Sequence, residues 1–314
     1  MLLLQSQTLF LERSTGEDIS ECERRTHRTI PESKRENMSS PNHWAVITGG
    51  SSGIGAAIFR RLVHHEPNLQ CLAVGRSAAK LEESKRQAIA NCENGNRVHI
   101  VSADVSTPEG ISAIVSALPS DASVKYLIHN AGLLGPIGPL TDIDRDTWRQ
   151  IVATNLDAPL FLTQALLPHL KRYISADDAG DKKARVLHVS SGAAINSYVG
   201  WGPYCVTKSG LNMMYRCLST ELSPHNILVG SARPGVVDTP MQDEVRGFDG
   251  PSDHFPMQDK FHTLHEGGKL GTPDNVAAYF HWLLSDVGDD EFIAQEWDIR
   301  NSEDDERWKK FRNS

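Results

Sequence analysis

Tyr204 and Lys208 stand four residues apart, with Ser191 thirteen residues before the tyrosine, and these three side chains together could move a proton. On a helix, a spacing of four places phenol and amine on one face, about a turn apart. A phenol with a pKa of about 10 is a poor proton shuttle at neutral pH. An adjacent ammonium favours the phenolate and is expected to lower that value. A serine hydroxyl can hold an oxygen on which negative charge develops. A tyrosine and lysine at this spacing carry little information alone, because an exposed polar pair on a helix looks the same. Ser191 changes the odds: it ends an apolar run that reads as a strand, and strand ends are where ligands bind in open parallel sheets.

Far upstream, Thr48-Gly49-Gly50-Ser51-Ser52-Gly53-Ile54-Gly55 follows an apolar run and leads into a helical pattern. Glycines there allow a tight turn and close approach of backbone to a pyrophosphate, whose charge suits a helix N-terminus. The spacing departs from GxGxxG, and a mere turn is the bland reading; placement between strand and helix favours a dinucleotide. The next strand ends Ala73-Val74-Gly75-Arg76-Ser77, without the acid that would bind a ribose 2′-hydroxyl. Arg76 suits a 2′-phosphate, so NADP(H) is the expected cofactor. A bound nicotinamide would carry the redox chemistry while the protein positions and polarises.

Positioning such groups requires a scaffold, and one is legible from Trp44 onward. Strands are expected at Trp44–Thr48, Gln70–Val74, Val98–Ser102, Val124–His129, Arg185–Ser190, Ile227–Ala232 and, more weakly, Phe292–Ile299. Helical patterns lie between them at Ile54–His65, Ala78–Asn91, Pro108–Leu118, Arg145–Tyr173, Pro203–Leu222 and Pro273–Leu284. Near-continuous apolar strands alternating with helices imply an α/β fold: a Rossmann-like, doubly wound parallel sheet of about seven strands, helices on both faces. One catalytic domain over 42–302 is expected, preceded by a disordered extension (1–41) and followed by a polar tail (303–314). Met38 is an alternative start. Residues 175–183 read as a polar loop, and 241–269 as a long substrate loop or lid.

Acidic residues outnumber basic ones by 40 to 32, a balance that repels phosphate backbones and argues against nucleic acid as partner. The five cysteines form no CxxC pair, which fits a reducing compartment such as the cytoplasm. No apolar run approaches the roughly 20 residues that cross a bilayer, so no membrane partner is expected. The greasy Met1–Leu11 lacks the basic start of a signal peptide. His254, His262, His265 and His281 match no metal-ligand spacing, so no metal is expected, and Cys205 reads as a buried, inert thiol.

Taken in order, these motifs resemble the classical short-chain dehydrogenase/reductase family over about residues 43–300. They are TGGSSGIG at 48–55, Asp104, Asn130-Ala131-Gly132, Asn155, Ser191, Tyr204-xxx-Lys208, and Arg233-Pro234-Gly235 followed by Thr239. The resemblance implies that Ser191, Tyr204, Lys208 and Asn155 are catalytic, Asn155 through a water in the proton relay. It implies that Gly49, Ser51, Ser52, Gly53, Ile54 and Gly55 border the cofactor, with Asp104 and Val105 at the adenine. Asn130, Ala131 and Gly132 would sit beside the cofactor, and Pro234, Gly235, Val237 and Thr239 at its nicotinamide end. His129 stands where many members carry a first asparagine. Within the family, residues 200–205 and 234–242 are similar to sepiapterin reductase and the benzil reductases. That likeness implies reduction of a small ketone, a vicinal dicarbonyl or a pterin side chain, with Trp201, Met241 and Asp298 at the substrate. Asp298 would be the pterin anchor. Pairing of subunits into a homodimer or homotetramer is implied as well. An NAD-dependent alcohol dehydrogenase and a non-catalytic dinucleotide-binding scaffold are the competing readings.

Overall fold

The apolar runs become seven parallel strands in the order β3-β2-β1-β4-β5-β6-β7, with helices on both faces of the sheet. This computed structural model describes residues 42–90, 92, 94–175, 182–302 and 305–312. The extension expected over 1–41 and most of the polar loop after Ser175 lie outside the described residues. In chain order the first half runs β1 (His43–Thr48), α1 (Gly53–His65), β2 (Leu69–Gly75), α2 (Ala78–Ile89), β3 (Val98–Ser102), α3 (Pro108–Ser116) and β4 (Ser123–His129). It continues with α4 (Arg145–Val152), α5 (Ala158–Ser175), β5 (Ala184–Val189), α6 (Gly202–Leu222) and β6 (Ile227–Arg233). The last part comprises α7 (Pro240–Arg246), α8 (Gln258–Glu266), α9 (Pro273–Ser285), α10 (Asp289–Ala294), β7 (Glu296–Asp298) and α11 (Glu306–Arg312).

Strands covered on both sides explain the unbroken apolar runs: five of the six residues of β1 and all six of β5 are buried. One core layer packs Ile58, Leu62, Tyr279, Phe280 and Trp282 of α1 and α9 against the sheet. The other packs Ile114, Leu162, Leu166 and Tyr215 of α3, α5 and α6 on the opposite face. Helix starts follow the local chemistry. Thr107 and Thr272 accept hydrogen bonds from the Gly110 and Asn275 N–H groups, each followed by a proline in the first turn.

Four expectations change on contact with the tertiary structure. The long helix over 145–173 is interrupted by a π turn at Ala153–Asp157, with Asn155 inside it. A wide turn of this kind commonly marks a functional position. The last strand is only Glu296–Asp298; Phe292 belongs instead to α10, where its ring fills the space above Gly230. The lid region holds α7, a short turn at Ser252–His254, and α8, whose apolar residues cover the aromatic cluster described below. Beyond residue 302 the chain is not simply a polar tail. Helix α11 inserts Trp308, 1% exposed, against Tyr279 and Trp282.

Candidate active site

Strand order reverses between β1 and β4, and the crevice beyond the carboxyl ends of those strands is where such sheets bind ligands. Thr48, the last residue of β1, clamps that crevice. Its hydroxyl donates to the Ile128 carbonyl (3.3 Å) and accepts from the Asn130 and Ala131 N–H groups at 3.0 and 3.1 Å. The Asn130 amide returns a bond to the Thr48 carbonyl at 3.0 Å, so the glycine loop and the Asn130–Gly132 turn are fastened together. Gly49 adopts φ +68°, a conformation that side chains disfavour. A Cβ on Gly55 would lie 2.2 Å from the Gly49 carbonyl oxygen, so the loop could not fold this tightly around any larger residue.

A single cavity of about 500 Å³ runs along the strand ends. It is lined by Gly49, Ser51, Ser52, Gly53, Ile54, Arg76, Asp104, Val105 and Asn130–Gly132 on one side. Ser191, Trp201, Tyr204, Lys208, Pro234, Gly235, Val237, Thr239 and Met241 line the remainder. Three of the residues singled out in the sequence stand back from it: Gly55, Asn155 and Asp298. Lys80, Tyr198, Leu134, Lys260, Phe261 and Arg300 line the cavity without having been singled out. Lys80, four residues beyond Arg76 at the start of α2, could have been read from spacing. The others gave no periodic or motif signal.

Each reactive side chain is fixed from behind. Ser191 caps the turn Gly192–Ala194, accepting from the Ala193 N–H at 3.2 Å. Tyr204 and Lys208 both lie in the first half of α6 on its buried face. The Lys208 ammonium donates to the Val189 carbonyl at 2.8 Å and lies 5.5 Å from the centre of the Tyr204 ring. Asn155 spends its amide on the Leu133 backbone, accepting from N–H and donating to C=O at 2.8 Å each. It also donates to the Thr207 hydroxyl at 3.1 Å. It stands behind Gly132, where a Cβ would sit 3.5 Å from its Oδ1 and 3.8 Å from the Lys208 ammonium.

Burial dominates the electrostatics. It pushes the Tyr204 phenol up to about 12, against a hydrogen bond from Ser191 that lowers it. It pulls Lys208 down to about 8, opposed by the negative charge of Glu296. The phenol is thus raised rather than lowered as the Tyr–Lys spacing leads one to expect, because desolvation of the phenolate outweighs the Ser191 hydrogen bond. Burial likewise raises the Asp104 carboxyl, but hydrogen bonds from Ser106 and the charge of Arg76 bring it below the ordinary value. The Cys205 thiol is raised by burial, which keeps it protonated and unreactive.

Asp298 does not reach the cavity. Its carboxylate accepts from Arg300 Nε (2.9 Å), Nη2 (2.6 Å) and backbone N–H (3.0 Å), with Arg233 at 3.5 Å. Arg300 faces the cavity in its place, because the chain turns after β7 and brings the guanidinium back over the carboxylate. Above Tyr204 an aromatic cluster closes the site. The Trp201 ring lies 5.1, 5.5 and 5.3 Å from those of Tyr198, Phe255 and Phe261. The Gln258 amide ties α8 to the carbonyls of Arg246 and Phe248 at 3.1 and 2.6 Å, which holds this cover in place.

The cradle fits a dinucleotide. Buried Ser190 Oγ, Trp201 Nε1 and Gln242 Oε1 in its wall have no partner among the described residues, and the glycine loop leaves room for backbone contact with phosphates. Among the described residues, no three or more His, Cys, Asp or Glu side chains converge to hold a metal ion. No helix there is long and apolar enough to cross a membrane.

Comparison with known proteins agrees with this geometry. A family profile described as short chain dehydrogenase matches residues 43–249. A benzil reductase ((S)-benzoin forming) of Bacillus cereus is 34% identical over 247 residues, spanning 77% of this chain and 93% of that protein. Its namesake in Bacillus subtilis is 31% identical, spanning 76% and 92%. The crystal structure of the KRED1-Pglu enzyme superposes with a TM-score of 0.68 at 29% identity, covering 80% of this chain and 98% of that one. The chain belongs to the short-chain dehydrogenase family, whose oxidoreductases use a nicotinamide dinucleotide.

Proposed function

We propose that this protein is an NADPH-dependent carbonyl reductase acting on small ketones and vicinal dicarbonyls. The observation that carries the proposal is the single cavity joining Arg76 and Lys80 at one end to Ser191, Tyr204 and Lys208 at the other. Arg76 and Lys80 would grip the 2′-phosphate, Asp104 and Val105 flank the adenine, and the glycine loop faces the pyrophosphate. When bound, NADPH supplies the hydride that reaches the carbonyl carbon. The Ser191 hydroxyl holds the carbonyl oxygen, and Tyr204 delivers the proton to it. With its phenol pushed up to about 12 by burial, Tyr204 is protonated at neutral pH but a weak acid, so its proton moves only as negative charge develops on the carbonyl oxygen held by Ser191. Asn155 acts as a positioning residue, through the Leu133 backbone and Thr207. The aromatic cluster around Trp201 favours aryl-substituted carbonyls, as does likeness to the benzil reductases. A pterin anchored on Asp298 is disfavoured, since Arg300 occupies that carboxylate.

The test is NADPH oxidation with benzil, simple aryl ketones and sepiapterin, run in parallel with NADH. Among these three classes, benzil with NADPH is expected to give the highest kcat/KM. Arg76→Asp should lower kcat/KM for NADPH roughly 10²-fold, from a lost charged hydrogen bond plus repulsion, and raise that for NADH. Equal use of both cofactors by the parent and the variant would sink the NADPH assignment.

We also propose that two copies pair through the outer face of α5 and α6. Leu160, Phe161, Val206 and Met213 are 38%, 48%, 47% and 58% exposed there, an apolar group that monomers rarely display. Phe161→Asp combined with Met213→Glu should convert a dimer or tetramer to monomer in light scattering. A parent protein that is already monomeric would overturn the pairing.

A further inference from the structure

We infer that the substrate carries an anionic group, a carboxylate in the simplest case, that is received by the guanidinium of Arg300. The inference rests on the reductase reading above and names the substrate class of that same site.

The Arg300 side chain is 56% exposed, yet its guanidinium is held in one orientation. Asp298, whose side chain is 3% exposed, grips Nε and Nη2 side-on at 2.9 and 2.6 Å and also accepts the Arg300 backbone N–H. That fork fixes the plane of the guanidinium before any ligand arrives, so little conformational freedom is lost on binding. Nη1 donates to no described residue and is open to water or a ligand. Arg300 lies toward the Tyr204 end of the cavity rather than the Arg76 end. A Cβ on Gly235 would touch its Cγ at 3.9 Å, and Tyr198 of the aromatic cluster is within electrostatic reach of its guanidinium. Asp298 is balanced in turn by Arg233, 3.5 Å away, which shares its own charge with Glu296 at 3.4 Å. Lys260 adds a second cation to the cavity wall next to Phe261, while Glu244 contributes one carboxylate. A neutral diketone would leave the Arg300 donor to water and gain nothing from it. A keto acid satisfies it with a charge-assisted hydrogen bond.

The experiment compares phenylglyoxylate and 4-acetylbenzoate with their methyl esters, using NADPH and the full-length protein, with benzil as the control substrate. At least one acid should exceed its ester in kcat/KM by about tenfold, the size of one charged hydrogen bond. Arg300→Met should collapse that acid-to-ester ratio, chiefly by raising KM for the acid, and Arg300→Lys should restore part of it. A merely structural role for Arg300 would lower activity on acid and ester together and leave the ratio untouched, which overturns the inference. So does preference for both esters by the parent protein, or a rise confined to KM for NADPH. Calorimetric titration of the same acids and esters onto the protein saturated with NADP+ reads the ratio without turnover. Turnover of benzil without acid preference therefore counts against Arg300 alone, whereas no turnover of any carbonyl counts against the reductase reading.

Discussion

Tyr204→Phe is expected to lower kcat for carbonyl reduction by roughly 10²–10⁴-fold, the usual contribution of a positioned general acid. NADPH affinity, read by fluorescence titration, should stay within about twofold, because the substitution removes one hydroxyl and keeps the ring. Packing argues for the same separation: the ring is buried edge-on against Trp201 at 6.2 Å, and that contact survives the change. The large effect follows from the lack of a substitute donor. Ser191 has an ordinary aliphatic hydroxyl, far less acidic than a phenol, and it already accepts from the Ala193 N–H. Lys208 is acidic enough, at about 8, but its ammonium is tied to the Val189 carbonyl. Turnover surviving the change within tenfold would mean that protons reach the substrate by another route, and the assignment of Tyr204 would fall.

The second large effect concerns stability in acid. His188 is fully buried on β5, its ring 5.1 Å from that of His129, and neither of its nitrogens has a close, well-aligned hydrogen-bond partner among the described residues. Burial, then the charge of Lys208, pulls its pKa down to about 3; a backbone group of Leu211 opposes this only in part. The sign follows from linkage. In the unfolded chain the imidazole takes a proton below about 6.5, while in the folded protein it resists down to about 3. Protons therefore favour unfolding throughout that window, and the cost is absent above it. At pH 4 the difference is on the order of 3 kcal/mol. For a domain of this size that amounts to about 5–10 °C in Tm. His188→Leu, similar in volume and unable to titrate, should lose correspondingly less Tm than the parent between pH 7 and pH 4. Parallel curves of Tm against pH in scanning calorimetry would show that His188 does not drive the acid instability.

Much of the fold was legible because its signals are local. Ala45-Val46-Ile47 and Tyr126-Leu127-Ile128 are apolar without alternation, as strands covered on both faces must be, and the structure pairs them as neighbours at the centre of the sheet. Phe292 reads as strand in the sequence because a short apolar run cannot reveal whether it lies in a sheet or beneath it. The interruption at Asn155 was invisible for a related reason. Helical periodicity continues across a π turn, and only the Leu133 backbone and Thr207, 22 and 52 residues away in sequence, show why the helix opens there. Trp308 looked like part of a polar tail, since one tryptophan among charges carries no pattern until Tyr279 and Trp282 receive it.

The sequence by itself determined the sheet class, the order of the motifs, and the spacing that places Tyr204 and Lys208 on one helical face. Each follows from periodicity or from steric demands within a few residues of chain. Only the tertiary structure decided what those groups meet. It set burial against the Ser191 hydrogen bond at Tyr204, with burial the stronger because desolvation depends on everything packed around the ring. It turned Asp298 from a ligand anchor into the holder of Arg300, and it gathered Trp201, Phe255 and Phe261 over the site from separate stretches of chain. Such outcomes depend on distances between residues remote in sequence, and no local pattern encodes them.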